Sequence, residues 1–530
     1  MPTEAAWWQR GVIYQIYPRS FQDSNGDGIG DLAGITARLD YLVALGVDAI
    51  WLSPVNPSPM ADFGYDVSDY TGIDPVFGTM ADFEALLAAA HTRGLKLIMD
   101  FVPNHTSEQH AWFLESRSSR DNPKRDWYIW RDGKDSGPPN NWMSEFGGSA
   151  WTFDEATGQY YYHAYLPQQP DLNWRNPAVR AAMYGALRFW LNKGVDGFRL
   201  DTIHHLFEDE HLRDNPLNPD FHDGLPPRER FARTHQTDQP EVIDVLAELR
   251  EVCDAYENRV LIGEAYLPLE QLMRYYGDDR SAVHLPFNFH LIGAPWEAAY
   301  LAELIWKYER LLPRNGWPNW VLGNHDRSRV ASRFGAKAAP LAAMLLLTLR
   351  GTPTLYYGDE LGMTDVAIAP ASVQDPWEKR VPGFGLGRDP VRTPMAWTPA
   401  AHGEFTTGTP WLPLHDDIAA LNVETLAAKP QSLLALYREL IALRRREPAL
   451  SLGNYGTVEC RDDVLIYERI HADRRLLVAL NFGSAVLYTP LPCGGDLLLS
   501  TVHGWKGKTT GDLLRLQPHE GVIVDISNGV

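Results

Sequence analysis

GVIYQIYP, Gly11 to Pro18, is an apolar run closed by proline. It is followed by LAGITARLDYLVALG (Leu32 to Gly46), in which Leu32, Ile35, Leu39, Leu42 and Leu45 fall on one helical face. VDAIWLSP (Val47 to Pro54), the helical MADFEALLAAAHTRG (Met80 to Gly94) and LKLIMDFVP (Leu95 to Pro103) continue the alternation. That order is β, α, β, α, β, and short right-handed crossovers make such strands parallel. Further on, a helix over 178–192 and the strand signals GVDGFRLDT, RVLIGEAY, HLPFNFHLI, NWVLGNHD and TPTLYYGDE bring the strand count to eight. Eight strands with intervening helices predict an α/β chain closed as a (β/α)8 TIM barrel.

Two regions break the alternation. Residues 105–173 are rich in Trp, Tyr, Gly, Pro and Asn, with DGKDSGPPNNW and a strand-like QYYYHAYL, and read as a small domain inserted after the third strand. Residues 451–530 carry short alternating strands, among them VLIYERI, RLLVALNF and GVIVDI, and read as an all-β C-terminal domain, a β-sandwich. The barrel is assigned residues 1–104 and 174–450. Long excursions run from Ile203 to Pro240 and from Leu361 to about Lys429.

A net charge of −20 disfavours nucleic acid and anionic membranes, because phosphate binding needs a basic footprint. Cys253, Cys460 and Cys493 form no CxxC pair, which points away from a thiolate metal site or disulfide framework and towards a cytoplasmic location. The opening MPTEAAWWQRG has no leader pattern. APLAAMLLLTL (Ala339 to Leu349), the longest apolar stretch, is too short to span a membrane and reads as a buried barrel helix. Oligomeric state is not legible.

Four segments occur in order: DFVPNH (Asp100 to His105), GFRLDT (Gly197 to Thr202), GEAY (Gly263 to Tyr266) and GNHD (Gly323 to Asp326). Asp201, Glu264 and Asp326 each follow an apolar run, where a barrel strand ends on the face that gathers catalytic groups. One such acid ordinarily caps a helix or pairs with an arginine. Three in series, with His105, Arg199 and His325 beside them, fit glycoside hydrolysis, whose oxocarbenium-like transition state needs one ionised and one protonated carboxyl group. Arg199, two residues before Asp201 on a strand, points to the same side and would keep that acid ionised. Glu264, behind an apolar VLI and a glycine, would be raised by burial and serve as the acid.

These segments resemble the four sequence regions of the α-amylase family of retaining glycoside hydrolases. The likeness extends over YQIYPRSFQDSNGDGIGDLAGI, DFGYDVSDY, QQPDLNW and RTPMAW, which are similar to the oligo-1,6-glucosidase and α-glucosidase branch. The resemblance implies that Asp201 is the nucleophile, Glu264 the general acid/base and Asp326 the transition-state stabiliser. It further implies that Asp62, Tyr65, His105, Arg199, His325 and Arg392 line the glucose subsite, with Asp62 and Arg392 clamping the non-reducing end of a blind pocket. Thr202 stands where oligo-1,6-glucosidases typically carry valine, which implies α-1,4 substrates such as maltose. The expected partners are small α-glucosides with water, sugars or alcohols as acceptors. The rivals are an α-1,6-glucosidase, a sucrose-cleaving or sucrose-isomerising relative and a non-catalytic binding barrel.

Asp23, Asn25, Asp27 and Asp31 lie in DSNGDGIGD, half of an oxygen-ligand loop that lacks the EF-hand glutamate at position 34. Four such oxygens would repel one another without a cation. The resemblance implies a structural Ca2+ or Mg2+ there, with Ile29 offering its backbone oxygen, and no organic cofactor. GFGLGR (Gly383 to Arg388) has no strand before it and no helix after it, so it reads as an ordinary loop. GKT at 507–509 lacks the glycine of a phosphate loop, and His204 and His205 are read as loop residues near the pocket.

Overall fold

Ile13–Ile16, Ala49–Leu52, Lys96–Phe101, Gly197–Leu200, Val260–Gly263, Leu285–Pro286, Asn319–Val321 and Thr352–Tyr356 are consecutive parallel strands of one sheet. The sheet closes on itself: Thr354 pairs with Ile13, and Asn288 bridges to Trp320 in parallel register. The computed structural model describes residues 5–278, 281–314, 316–491, 494–502, 507–509 and 513–527. Cys493 lies outside them.

The strands are apolar on both faces because both are covered. Ile13, Ala49, Trp51, Ile98, Val260, Ile262, Leu285 and Val321 fill the barrel interior. Their neighbours, such as Tyr14, Ile50, Leu97, Phe198 and Leu261, pack outward against the helices. The helix Pro177–Lys193 starts on Asn176, whose side chain accepts from the Ala178 amide, and stops at Gly194 in the left-handed region. It delivers the chain to the fourth strand, at whose end Asp201 stands.

Two elements are shorter than the sequence pattern predicts. The helix expected over 32–45 is two, Leu32–Ala37 and Leu39–Leu45, broken at Arg38, which donates to Gln22 at 2.7 Å and lies over the Trp397 ring. The strand read in HLPFNFHLI is only Leu285–Pro286. Proline removes a ladder donor, and Asn288 then accepts from the His290 amide to start the short helix His290–Gly293.

Between the third and fourth strands, Trp130–Arg131, Trp151–Asp154 and Gln159–Tyr162 form a small antiparallel sheet around Ile129, Trp142, Trp151 and Tyr162. The C-terminal region is a six-stranded antiparallel sheet with a separate two-stranded ribbon, Leu487–Pro490 with Leu513–Leu516. Leu514 and Leu516 of that ribbon pack on Val464, Ile466 and Val524 of the larger sheet. Among the described residues no helix is long and apolar enough to cross a membrane.

The barrel edge that meets the C-terminal sheet is fastened by buried arginine. The apolar helix Ala339–Thr348 is buried over nearly its whole length; Thr348 donates to Met344 O at 2.6 Å, and the carbonyls beyond need donors from elsewhere. Arg444, 1% exposed, supplies the donors to Leu347 O, Leu349 O, Leu450 O and Gly351 O. Arg444→Met is expected to strand those carbonyls and destabilise the fold by about 3 kcal/mol or more. The check is a lowered thermal unfolding midpoint.

Candidate active site

Arg199 is the hub. Its guanidinium is 1% exposed and donates to Asp201 Oδ1 at 2.6 Å, to Asp100 at 2.9 and 3.1 Å, and to Glu264 Oε2. Strand register explains the convergence, since Asp100 pairs with Arg199 and Arg199 with Ile262 across three adjacent strands. Three carboxyl groups around one cation cannot all ionise cheaply. Burial pushes the Glu264 carboxyl well up, Arg199 pulls it down, and the charges of Asp201 and Asp326 push it up again. Glu264 is therefore the group that keeps the proton. It shares with Asp201 both the Arg199 guanidinium and the next residue, Thr202.

Thr202, next in the chain, takes the left-handed region at φ 42°, costly for a β-branched residue and the kind of strain that collects at active sites. That turn aims its amide at Glu264 Oε2 (3.2 Å) and its hydroxyl at Asp201 Oδ2 (3.2 Å).

A second group surrounds Asp326. Burial raises its carboxyl, but His325, Arg388, Arg392 and Arg199 outweigh burial and hold it below the ordinary range. Burial also keeps His325 neutral, so the arginines supply the charge. Gln15 Nε2 donates to His325 Nδ1 at 2.7 Å, which leaves the proton on Nε2 facing the Tyr65 hydroxyl at 2.8 Å and Asp326 at 3.4 Å. Tyr65 donates in turn to Asp100 at 3.1 Å. One hydrogen-bond chain thus links Gln15, His325, Tyr65, Asp100 and Arg199. His105, pushed down to about 4 by burial, is also neutral and contacts the Tyr65 carbonyl and Gln169.

A single cavity of about 230 Å3 is lined by Asp62, Tyr65, His105, Asp201, Thr202, Glu264, His325 and Asp326, with Tyr165, Gln169, Tyr266 and Arg388 among the others. Arg199 sits behind its acids. Arg392 departs from the expectation: it does not line the cavity. It is fully buried, donating to the His325 carbonyl at 2.9 Å and to Asp326 at 3.0 Å. Arg388, one turn earlier, occupies the place predicted for it, with its guanidinium 2.6 Å from Asp62 and 2.7 Å from Asp375. Burial still lifts Asp62 to about 6, against the pull of Arg388 and Arg392. Arg388 belongs to GFGLGR, read from sequence as an ordinary loop, and no local pattern distinguishes it from Arg392. Asp100, Tyr165 and Gln169 were also missed. Asp100 ends an apolar run as Asp201 does, a signal that would have found it. His204 and His205 do line the cavity.

The DSNGDGIGD loop satisfies its acids with its own amides. Asp23 accepts from the amides of Asn25, Gly26 and Gly28 and from Thr406, and Asp31 accepts from Ser24 and Gly34 as the cap of a helix. Gly26 and Gly28 hold left-handed φ to allow this. Mutual repulsion, the reason offered for a cation, is thus relieved at Asp23 and Asp31 by N–H donors. Among the described residues no three His, Cys, Asp or Glu side chains group as metal ligands. Asn25, Asp27 and the Ile29 carbonyl keep spare acceptor capacity, and an all-oxygen set suits Ca2+ or Mg2+.

An α-amylase catalytic-domain model matches residues 15–453, and a domain of unknown function, DUF3459, matches 453–523. The chain belongs to the α-amylase family. It is a glycoside hydrolase built on that family's barrel. The oligo-1,6-glucosidase of Halalkalibacterium halodurans is 42% identical, over 98% of each chain. A probable α-glucosidase of Rhizobium meliloti is 43% identical, over 92% of this chain and 91% of its own. Among solved structures, an α-glucosyl transfer enzyme superposes with a TM-score of 0.94 at 42% identity, over 98% and 100% of the two chains. The trehalulose synthase of Pseudomonas mesoacidophila does so with 0.89 at 37%, over 98% and 99%.

Isotope-edited infrared spectra at pH 7 are expected to contain a protonated carboxyl band that vanishes in Glu264→Gln. In Asp326→Asn, which removes a repelling charge, that band should titrate at lower pH. A wild-type spectrum without the band would contradict the charge assignment.

Proposed function

We propose that this protein is a retaining, exo-acting α-glucosidase that releases terminal α-1,4-linked glucose from maltose and short oligosaccharides by double displacement. The observation that carries this reading is that one guanidinium, Arg199, donates to both Asp201 and Glu264. Retaining enzymes keep their carboxyl groups about 5–5.5 Å apart, whereas inverting enzymes hold them roughly 6.5–9.5 Å apart to admit a water. Carboxyl groups held by adjacent nitrogens of one guanidinium fit the shorter spacing. The Asp62–Arg388 pair in a small cavity supports recognition of a chain end.

Asp201 attacks the anomeric carbon while Glu264 gives its proton to the departing glycosidic oxygen, leaving a covalent glucosyl–aspartate. Glu264, now ionised, takes the proton of an incoming hydroxyl, whose oxygen displaces Asp201 and restores it. Water as acceptor gives hydrolysis, and a sugar or alcohol gives transglucosylation. Asp326, kept ionised by its arginines, stabilises the positive charge that develops on the sugar ring. The Thr202 hydroxyl beside Asp201 supports α-1,4 over α-1,6 linkage, as argued from sequence. The names of the relatives favour two alternatives, cleavage of α-1,6 bonds and sucrose isomerisation. A cytoplasmic location belongs to the same reading, as does a divalent cation held by Asp23, Asn25, Asp27, Asp31 and the Ile29 carbonyl.

Proton NMR of maltose and isomaltose turnover is expected to show α-glucose first, mainly from maltose. Asp201→Asn should lower kcat on the order of 10⁴-fold. Initial β-glucose would overturn retention, and preferential isomaltose cleavage would overturn the linkage assignment. For the cation, chelation should lower the thermal midpoint and added Ca2+ or Mg2+ restore it, in wild type but not in Asp27→Ala.

A further inference from the structure

The outer wall of the cavity is made by three chain segments that no barrel strand orders: the inserted domain with Glu145 and Phe146, the excursion after the fourth strand with Arg228 and Arg233, and the loop after the eighth with Trp377. Glu145 ties them together. Its carboxylate accepts from Arg228 at 3.0 Å and from Arg233, and its backbone carbonyl accepts from Arg228 at 3.0 Å as well. The Arg228 guanidinium lies 4.6 Å over the Trp377 ring, and Trp377 packs on Phe146 at 5.2 Å. Arg380 donates to the Phe146 and Gly147 carbonyls at 3.3 and 3.0 Å, tying the third segment back to the first.

These side chains are at the mouth. Arg233 and Arg228 are 31% and 13% exposed, against 3% for Glu264 and 5% for Asp62. A glucose held at Asp62 and Arg388 leaves the aglycone to the remaining lining, namely His205, Thr237, Tyr266, Arg327 and the ion-paired wall. At about 230 Å3 the cavity is below the roughly 300–1,000 Å3 usual for ligand pockets. A longer chain would have to part this ion-paired wall, whose carboxylate is 11% exposed. Burial pushes the Glu145 carboxyl up, but Arg233, Arg228 and His205 outweigh it and keep it ionised.

We propose that Glu145 is a positioning residue for chain-length specificity: by holding Arg228 and Arg233 across the mouth it limits the leaving group, and the acceptor in transfer, to a single ring. This rests on the α-glucosidase reading. The natural substrates are then disaccharides, and longer maltooligosaccharides are excluded by the wall and not by the glucose subsite.

The test compares kcat/KM for maltose, maltotetraose and p-nitrophenyl α-glucoside in wild type, Glu145→Gln, Glu145→Asp and Arg228→Gln. The wild type is expected to favour maltose. Glu145→Gln and Arg228→Gln should raise the maltotetraose-to-maltose ratio about tenfold, chiefly through KM of the longer sugar, with aryl glucoside cleavage little changed. Glu145→Asp, which keeps the charge, should stay near wild type. An active wild type whose ratio is unmoved in either soluble variant overturns the inference alone. A wild type that cleaves neither maltose nor the aryl glucoside overturns the α-glucosidase reading and this inference with it.

Discussion

Everything at the reaction centre depends on one buried guanidinium shared by three carboxyl groups. Arg199, Asp100, Asp201 and Glu264 are almost wholly out of bulk water, so their charges are settled chiefly among themselves. Arginine suits this position because its planar fork donates in two directions at once, and because it stays protonated where a lysine could lose its proton. One arm faces Asp100 and Asp201, the other Glu264. The proton stays on Glu264, which burial and the charges of Asp201 and Asp326 push up. The carboxyl groups are differentiated by their environment.

The barrel makes that sharing possible. Parallel register brings the ends of the third, fourth and fifth strands side by side, and the hydrogen-bond chain from Gln15 through His325 and Tyr65 carries the arrangement across the barrel mouth to the seventh strand. Asp326 is handled differently, by arginines delivered on a loop. Arg388 and Arg392 flank a single 3-10 turn, so a four-residue separation sends one guanidinium to the cavity and Asp62, the other behind Asp326. The sequence expectation named Arg392; both arginines flank the same turn, and only packing shows that Arg388 reaches the cavity.

Around this core the strands, helices and insertion were largely legible, and the errors have local causes. A turn at Asn288, whose side chain accepts from the His290 amide, ended a predicted strand, and Arg38, anchored to Gln22 and Trp397, broke a helix whose apolar face is continuous. In the DSNGDGIGD loop, charge counting overlooked the backbone. Amides freed by left-handed glycines answer the carboxylates of Asp23 and Asp31, leaving Asn25, Asp27 and the Ile29 carbonyl with capacity for an ion.

By itself the sequence determined the barrel, the inserted and C-terminal regions, and the three acids at strand ends. Strand alternation and helical periodicity are local patterns, and a carboxylate after an apolar run marks where a buried strand meets water. Only the tertiary structure decided that Asp100 shares Arg199 with the two acids, which arginine faces Asp62, and that Glu145 closes the cavity with Arg228 and Arg233. Those outcomes depend on burial and on distances between residues as many as 326 positions apart in the chain, as for Asp62 and Arg388, and neither quantity is written in any stretch of sequence.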